Sequence, residues 1–159
     1  MSSPVERFRE LLRIPTVSHV DPGRVDLAAF DAFHDALERL YPRIHAALER
    51  EVVSDHALLY RWRGASDADP LVLMAHMDVV PVVAEEWQHP PFAADLTGTG
   101  ADATIHARGA IDDKGALVAI MEAVEALLAD GTTPSHDVYL AFGHDEEIGG
   151  TGAQAIVDA

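Results

Sequence analysis

Three short stretches of the chain hold the side chains best suited to chemistry: His76-Met77-Asp78, Asp112-Asp113 and Asp145-Glu146-Glu147. In an extended segment residues two apart point the same way, so the His76 imidazole and the Asp78 carboxylate would stand side by side. That pairing suits a metal-bound histidine whose other ring nitrogen is held by a carboxylate, which fixes its tautomer. It also suits a histidine simply hydrogen-bonded at a strand end. Asp112 and Asp113 open a helical pattern, where carboxylates favour the helix dipole with or without a ligand. Three consecutive acids at 145–147 repel one another unless a cation or water intervenes, and a solvated charge run is the plain alternative. Together the stretches offer one imidazole and two acidic clusters. Zinc or manganese accepts that ligand set when sulfur is missing, and the chain has no cysteine. Two neighbouring glutamates can divide the work, one coordinating and one free as a base.

The elements that must position these residues are legible from periodicity. Leu71 to Ala75, just before His76, is a continuous apolar run of the kind found in a strand covered on both faces. Val138 to Phe142, just before the acids at 145–147, reads as a second buried strand, and Leu58, Tyr60 and Trp62 alternate as a third. Leu117, Ile120, Met121, Val124, Leu127 and Leu128 recur at helical spacing from Asp113 or Lys114 to Leu128, with Gly131 as the stop. Upstream, Ser3, Pro4 and Glu6 have the form of a capped start for a helix that ends before Pro15. A second helix runs from Leu27 to Leu48, kinked or divided at Pro42. Ala153 to Ala159 begins a last helical pattern. Strands alternating with helices predict an α/β fold, with ligand groups gathered at strand ends. No repeat or low-complexity tract divides the 159 residues, which suit one domain.

Composition narrows the partners. With 27 acids against 11 bases the formal charge is −16, which repels phosphate backbones and anionic headgroups and favours multivalent cations. Nucleic acid and membrane surfaces are therefore excluded as main partners. The first ten residues mix charge into any apolar run, and no stretch is apolar over the roughly 18 residues of a spanning helix, so a cytoplasmic location is expected.

In their wider setting the three stretches resemble the co-catalytic zinc peptidases of the M20 family. The likeness rests on His76-Met77-Asp78-Val79-Val80-Pro81, then Trp87, Pro90, Pro91 and Phe92, then Arg108 to Gly115, then Phe142 to Gly150. It is nearest to the carboxypeptidase S-like branch, which includes hydrolases of N-acyl amino acids. The resemblance runs over most of the chain and is strongest from Leu71 to Gly152. It implies a mostly parallel, mixed sheet covered by helices, and two zinc ions, with manganese or cobalt as substitutes. His76 would bind one ion, Asp112 would bridge both and Glu147 would bind the other. Glu146 would be the general base, and Asp78 would orient His76 from behind. The peptide bond joining Asp112 to Asp113 would be cis. The implied reaction is hydrolysis of an amide in a short peptide or N-acyl amino acid. Two cations roughly 3.5–4 Å apart would acidify a bridging water, whose proton Glu146 takes and returns to the leaving amine. Ala107 departs from the glycine that many members carry before the arginine, with a small expected effect on the loop.

The resemblance further implies that residues 1–159 are the N-terminal portion of a catalytic domain. A remaining acidic ligand, a distal histidine and a lid domain for dimerisation and substrate binding would lie beyond Ala159. On that expectation the chain alone hydrolyses poorly or not at all, and the full-length protein forms a homodimer through the lid. Two other readings stand beside this one: a deacylase of the acetylornithine or succinyl-diaminopimelate type, and a noncatalytic acidic module that holds a cation structurally.

Overall fold

The computed structural model describes residues 2–159. Helix α1 (Pro4–Leu12) starts as its residues dictate: the Ser3 hydroxyl accepts from the Glu6 amide at 3.2 Å and Pro4 takes a position needing no N–H. Pro42 divides the next helical stretch rather than kinking it. The first piece is α2 (Leu27–Leu40), and Pro42 opens the second, α3 (Pro42–Ala47). The free amides at the start of α3 are capped from afar by buried Glu125, which accepts from Arg43 and Ile44 at 3.2 and 3.0 Å. Helix α4 (Lys114–Ala129) carries Leu117, Val118, Met121 and Val124 on its buried face and ends before Gly131, whose φ of 74° suits glycine. A short α5 (Gly152–Asp158) closes the described chain.

The main sheet contains β1 (Glu49–Val53), β2 (Ala57–Trp62), β3 (Leu71–His76) and β6 (Val138–Gly143), in the order β1-β2-β6-β3. It is mixed, but its balance reverses the expectation of a mostly parallel sheet. β1 with β2 and β2 with β6 are antiparallel, and only β3 with β6 is parallel. A three-residue loop, 54–56, between β1 and β2 allows a hairpin, whereas the parallel pair needs the long crossover that contains α4. β1 falls where a helix running on to Leu48 was expected to end. Its exposed, charged start, Glu49-Arg50-Glu51, carries no apolar periodicity. A two-stranded ribbon, β4 (Asp95–Thr97) with β5 (Thr104–His106), lies apart from this sheet.

The core lies between α1–α4 and one sheet face, where Phe30, Phe33, Leu37, Tyr41, Leu117, Met121, Leu140 and Phe142 are fully or almost fully buried. Burying each such side chain contributes roughly 1.5–3 kcal/mol against leaving it in water. β3 departs from the expected double coverage: Leu71, Val72 and Met74 are exposed, and the strand lies at the sheet edge. Among the described residues no helix is long and apolar enough to cross a membrane.

Candidate metal centre

Parallel pairing of β3 with β6 places His76 opposite Gly143, and the Met77 amide continues the ladder onto the Gly143 carbonyl at 2.9 Å. The two loops that leave these strands, one carrying Asp78 and the other carrying residues 144–150, therefore emerge side by side. The loop entering α4 reaches the same point, where Asp113 accepts the His76 backbone amide at 3.3 Å. The peptide bond between Asp112 and Asp113 is cis, as the resemblance implied.

His76 and Asp78 are buried, with the Asp78 side chain wholly out of solvent. His76 Nδ1 faces both the Asp78 carbonyl, at 3.1 Å, and its Oδ1, at 3.3 Å. These acceptors place a proton on Nδ1 and leave Nε2 to face outward. Nε2 lies 3.0 Å from Asp112 Oδ1 and 3.6 Å from Glu146 Oε2. Burial works against the imidazolium, but hydrogen bonds and charge from Asp78, with a hydrogen bond to Asp112, outweigh it and push His76 up to about 9. Asp78 answers in the opposite sense. Burial would raise it, yet the His76 hydrogen bond and the Glu147 amide among its partners hold it below the usual carboxylate range. Its two oxygens accept the backbone amides of Glu146 and Glu147 at 3.2 and 3.1 Å, so one buried carboxylate holds both the histidine and the glutamate loop.

Ligand atoms of His76, Asp112 and Glu147 all lie within 4.8 Å of one another. Glu147 is raised above its ordinary value by burial and by the charge of Asp112. The side chains of Asp112 and Glu146 are 71% and 60% exposed, so the cluster is walled on the His76 side and open opposite. An imidazole nitrogen with two close carboxylates is a donor set that fits divalent metal, which would replace the Nε2 proton and relieve the crowded acids. All five residues singled out in the sequence thus meet at one place.

Other contributors were given no individual role from the sequence, although Asp145, Gly150 and Gly109 lie within the quoted stretches. The segment at Thr16–Ser18 straps the histidine loop: the Thr16 hydroxyl donates to the Met77 carbonyl at 2.5 Å, Val79 N to Thr16 O at 2.9 Å, and Ser18 N to Val79 O at 3.1 Å. Asp145 folds the glutamate loop, accepting the Gly152 amide on its carboxylate at 3.1 Å. A Cβ at Gly150 would fall 1.9 Å from Asp145 Oδ2, so the loop closes only over glycine. Gly109, at φ +80°, brings the loop before Asp112 so close that a Cβ would meet Val79 Cγ1 at 2.8 Å.

A model of peptidase family M20/M25/M40 matches residues 72–159. "Probable carboxypeptidase S-like 2" of Dictyostelium discoideum is 36% identical over 155 residues, covering 93% of this chain and 29% of the relative. "N-fatty-acyl-amino acid synthase/hydrolase PM20D1" of Xenopus tropicalis is 35% identical, covering 97% of this chain and 30% of the relative. Among solved structures, an M20 family metallo-carboxypeptidase, Sso-CP2 from Sulfolobus solfataricus, superposes with a TM-score of 0.71 at 26% identity, over 94% of this chain and 32% of that one. The chain spans about 30% of the length of the curated relatives it matches.

Proposed function

Because the chain belongs to peptidase family M20/M25/M40, we propose that its cluster is the ion-binding half of an amidohydrolase site acting on N-acyl amino acids or short peptides. The observation that carries this reading is the approach of His76, Asp112 and Glu147 within 4.8 Å, with Glu146 beside them. His76 and Glu147 would each hold one of two zinc ions, and Asp112 would bridge them. When bound, the metal supplies a Lewis acid that polarises the amide carbonyl and lowers the pKa of water. Glu146 stands free at the open side, where its carboxylate would accept the proton of the attacking water and deliver it to the leaving nitrogen. Asp78 keeps His76 in the Nδ1–H tautomer and pins the amides next to Glu146, so base and ligand keep their spacing. The substrate class is drawn from the carboxypeptidase and N-acyl amino acid hydrolase names of the relatives.

Zinc titration of the chain, followed by metal analysis after gel filtration, tests the ion site. Glu147→Ala should lose one ion, while Glu146→Gln should retain the wild-type content. In the complete gene product Glu146→Gln should lower turnover of an N-acyl amino acid by at least about 10²-fold. Normal turnover in that variant would refute its role as base, and unaltered zinc content in Glu147→Ala would refute the ligand assignment.

A further inference from the structure

A cavity of about 540 Å³ opens beside the ion cluster, with Asp112 on its rim and Trp87, Ile105, Arg108 and Ile111 among its walls. The state of Arg108 sets this cavity apart. Seven of the ten arginines, at 7, 9, 39, 43, 50, 61 and 63, make ion pairs with Asp or Glu. Arg13 is occupied by the Ala93 carbonyl at 3.1 Å. Arg24, exposed in the turn at 22–24, makes no ion pair either, so among the described residues Arg108 is the one half-buried arginine whose guanidinium has no acceptor. Among the described residues Arg108 finds no carboxylate, although Asp112 lines the same cavity. Its guanidinium carbon instead lies 5.1 Å from the centre of the Trp87 ring, and its Nε is buried with no hydrogen-bond partner.

The backbone holds that cation in place. The Arg108 amide donates to the Pro91 carbonyl at 2.8 Å, and the next residue, Gly109, packs against Val79 one position from Asp78. A guanidinium held over an indole ring leaves its terminal N–H donors for an anion and loses little freedom on binding one. The geometry points to Arg108 as a binding residue for a substrate carboxylate, with Trp87 as its platform. A carboxylate seated there would lie next to Asp112 and thus close to an amide held at the ion cluster. This inference rests on the amidohydrolase reading of that cluster. A carboxylate can stand on either side of the scissile amide, at the amino-acid end or at the far end of a dicarboxylic acyl group, and the guanidinium serves both.

The test uses the 159-residue chain, with and without zinc, and three probes: N-acetyl-phenylalanine, N-acetyl-phenylalanine amide and N-succinyl-phenylalanine amide. Binding is followed by the indole N–H resonance of Trp87, assigned with Trp87→Phe. One of the two acids should bind, and whichever does identifies the side of the amide that carries the anion; the uncharged amide should bind roughly tenfold more weakly. Arg108→Met should abolish the difference, and Arg108→Lys should keep part of it, which separates lost charge from disturbed packing. Equal binding of acid and uncharged amide, no binding of either acid, or an undiminished preference in Arg108→Met would each overturn the inference. The preference is expected with and without zinc, so failure to take up the metal counts against the ion site alone.

Discussion

Asp78 carries more of the centre than its two-residue offset from His76 suggests. Its side chain is fully buried and accepts from His76 Nδ1 and from the Glu146 and Glu147 amides. Asp78→Asn preserves the volume but removes the charge and turns one acceptor into a donor facing those amides. The expected outcome is zinc affinity lowered by roughly 10–100-fold with the fold retained, measured by competition against a chelator. An affinity equal to wild type would show that the neighbouring loops hold the histidine without it. That His76, Asp112 and Glu147 gather was legible because imidazole and carboxylate clusters sit at the ends of separate elements. The side-by-side placement of 76 and 78 was also legible, although Asp78 lies past the end of β3 rather than within it. The link from Asp78 to a loop 68 residues away was not, because it depends on β3 pairing with β6 and local sequence says nothing of that partner.

At the scale of elements, His34 shows how burial between α2 and the turn after β1 becomes a pH dependence. Its Nε2 donates to the His56 carbonyl at 3.0 Å, and desolvation, with repulsion from Arg50, lowers its pKa from 6.5 to about 4. Between those values the unfolded chain takes up a proton that the folded chain refuses, so stability falls as pH drops through this window and is flat above it. The expected loss between pH 7 and 4.5 is about 2–3 kcal/mol from this group, read from urea unfolding midpoints. His34→Gln keeps a donor and should flatten that part of the profile; an unchanged slope would assign it to other groups. The helices were legible from the spacing of Leu117, Met121 and Val124 and from the Ser3 and Pro42 signals. The hairpin at β1 was not, because its outer residues are charged and exposed, and neither was the capping of α3 by Glu125 across 81 residues. Such contacts are set by how the helices pack, and no pattern of three or four residues encodes them.

The whole molecule sets a charge of −16 against an apolar sheet edge. The run Leu71 to Ala75 reads as a doubly covered strand, yet β3 is outermost in the order β1-β2-β6-β3, with Met74 74% exposed on it. The apolar run explains why this segment forms a strand; nothing within it specifies which elements flank it. An outer strand with unpaired backbone groups and apolar side chains is a template for edge-to-edge pairing. Net charge works against that pairing, since two copies bring like charges together. Screening removes the opposition: at about 1 M salt the Debye length falls to about 3 Å. The chain should therefore sediment as a monomer at low ionic strength and shift to larger species as salt is raised. Met74→Lys, which places a charge on the exposed edge without touching the core, should stay monomeric under the same conditions. If wild type and variant associate alike at high salt, the contact lies on another surface, and charge alone, rather than the β3 edge, governs how copies of this chain meet.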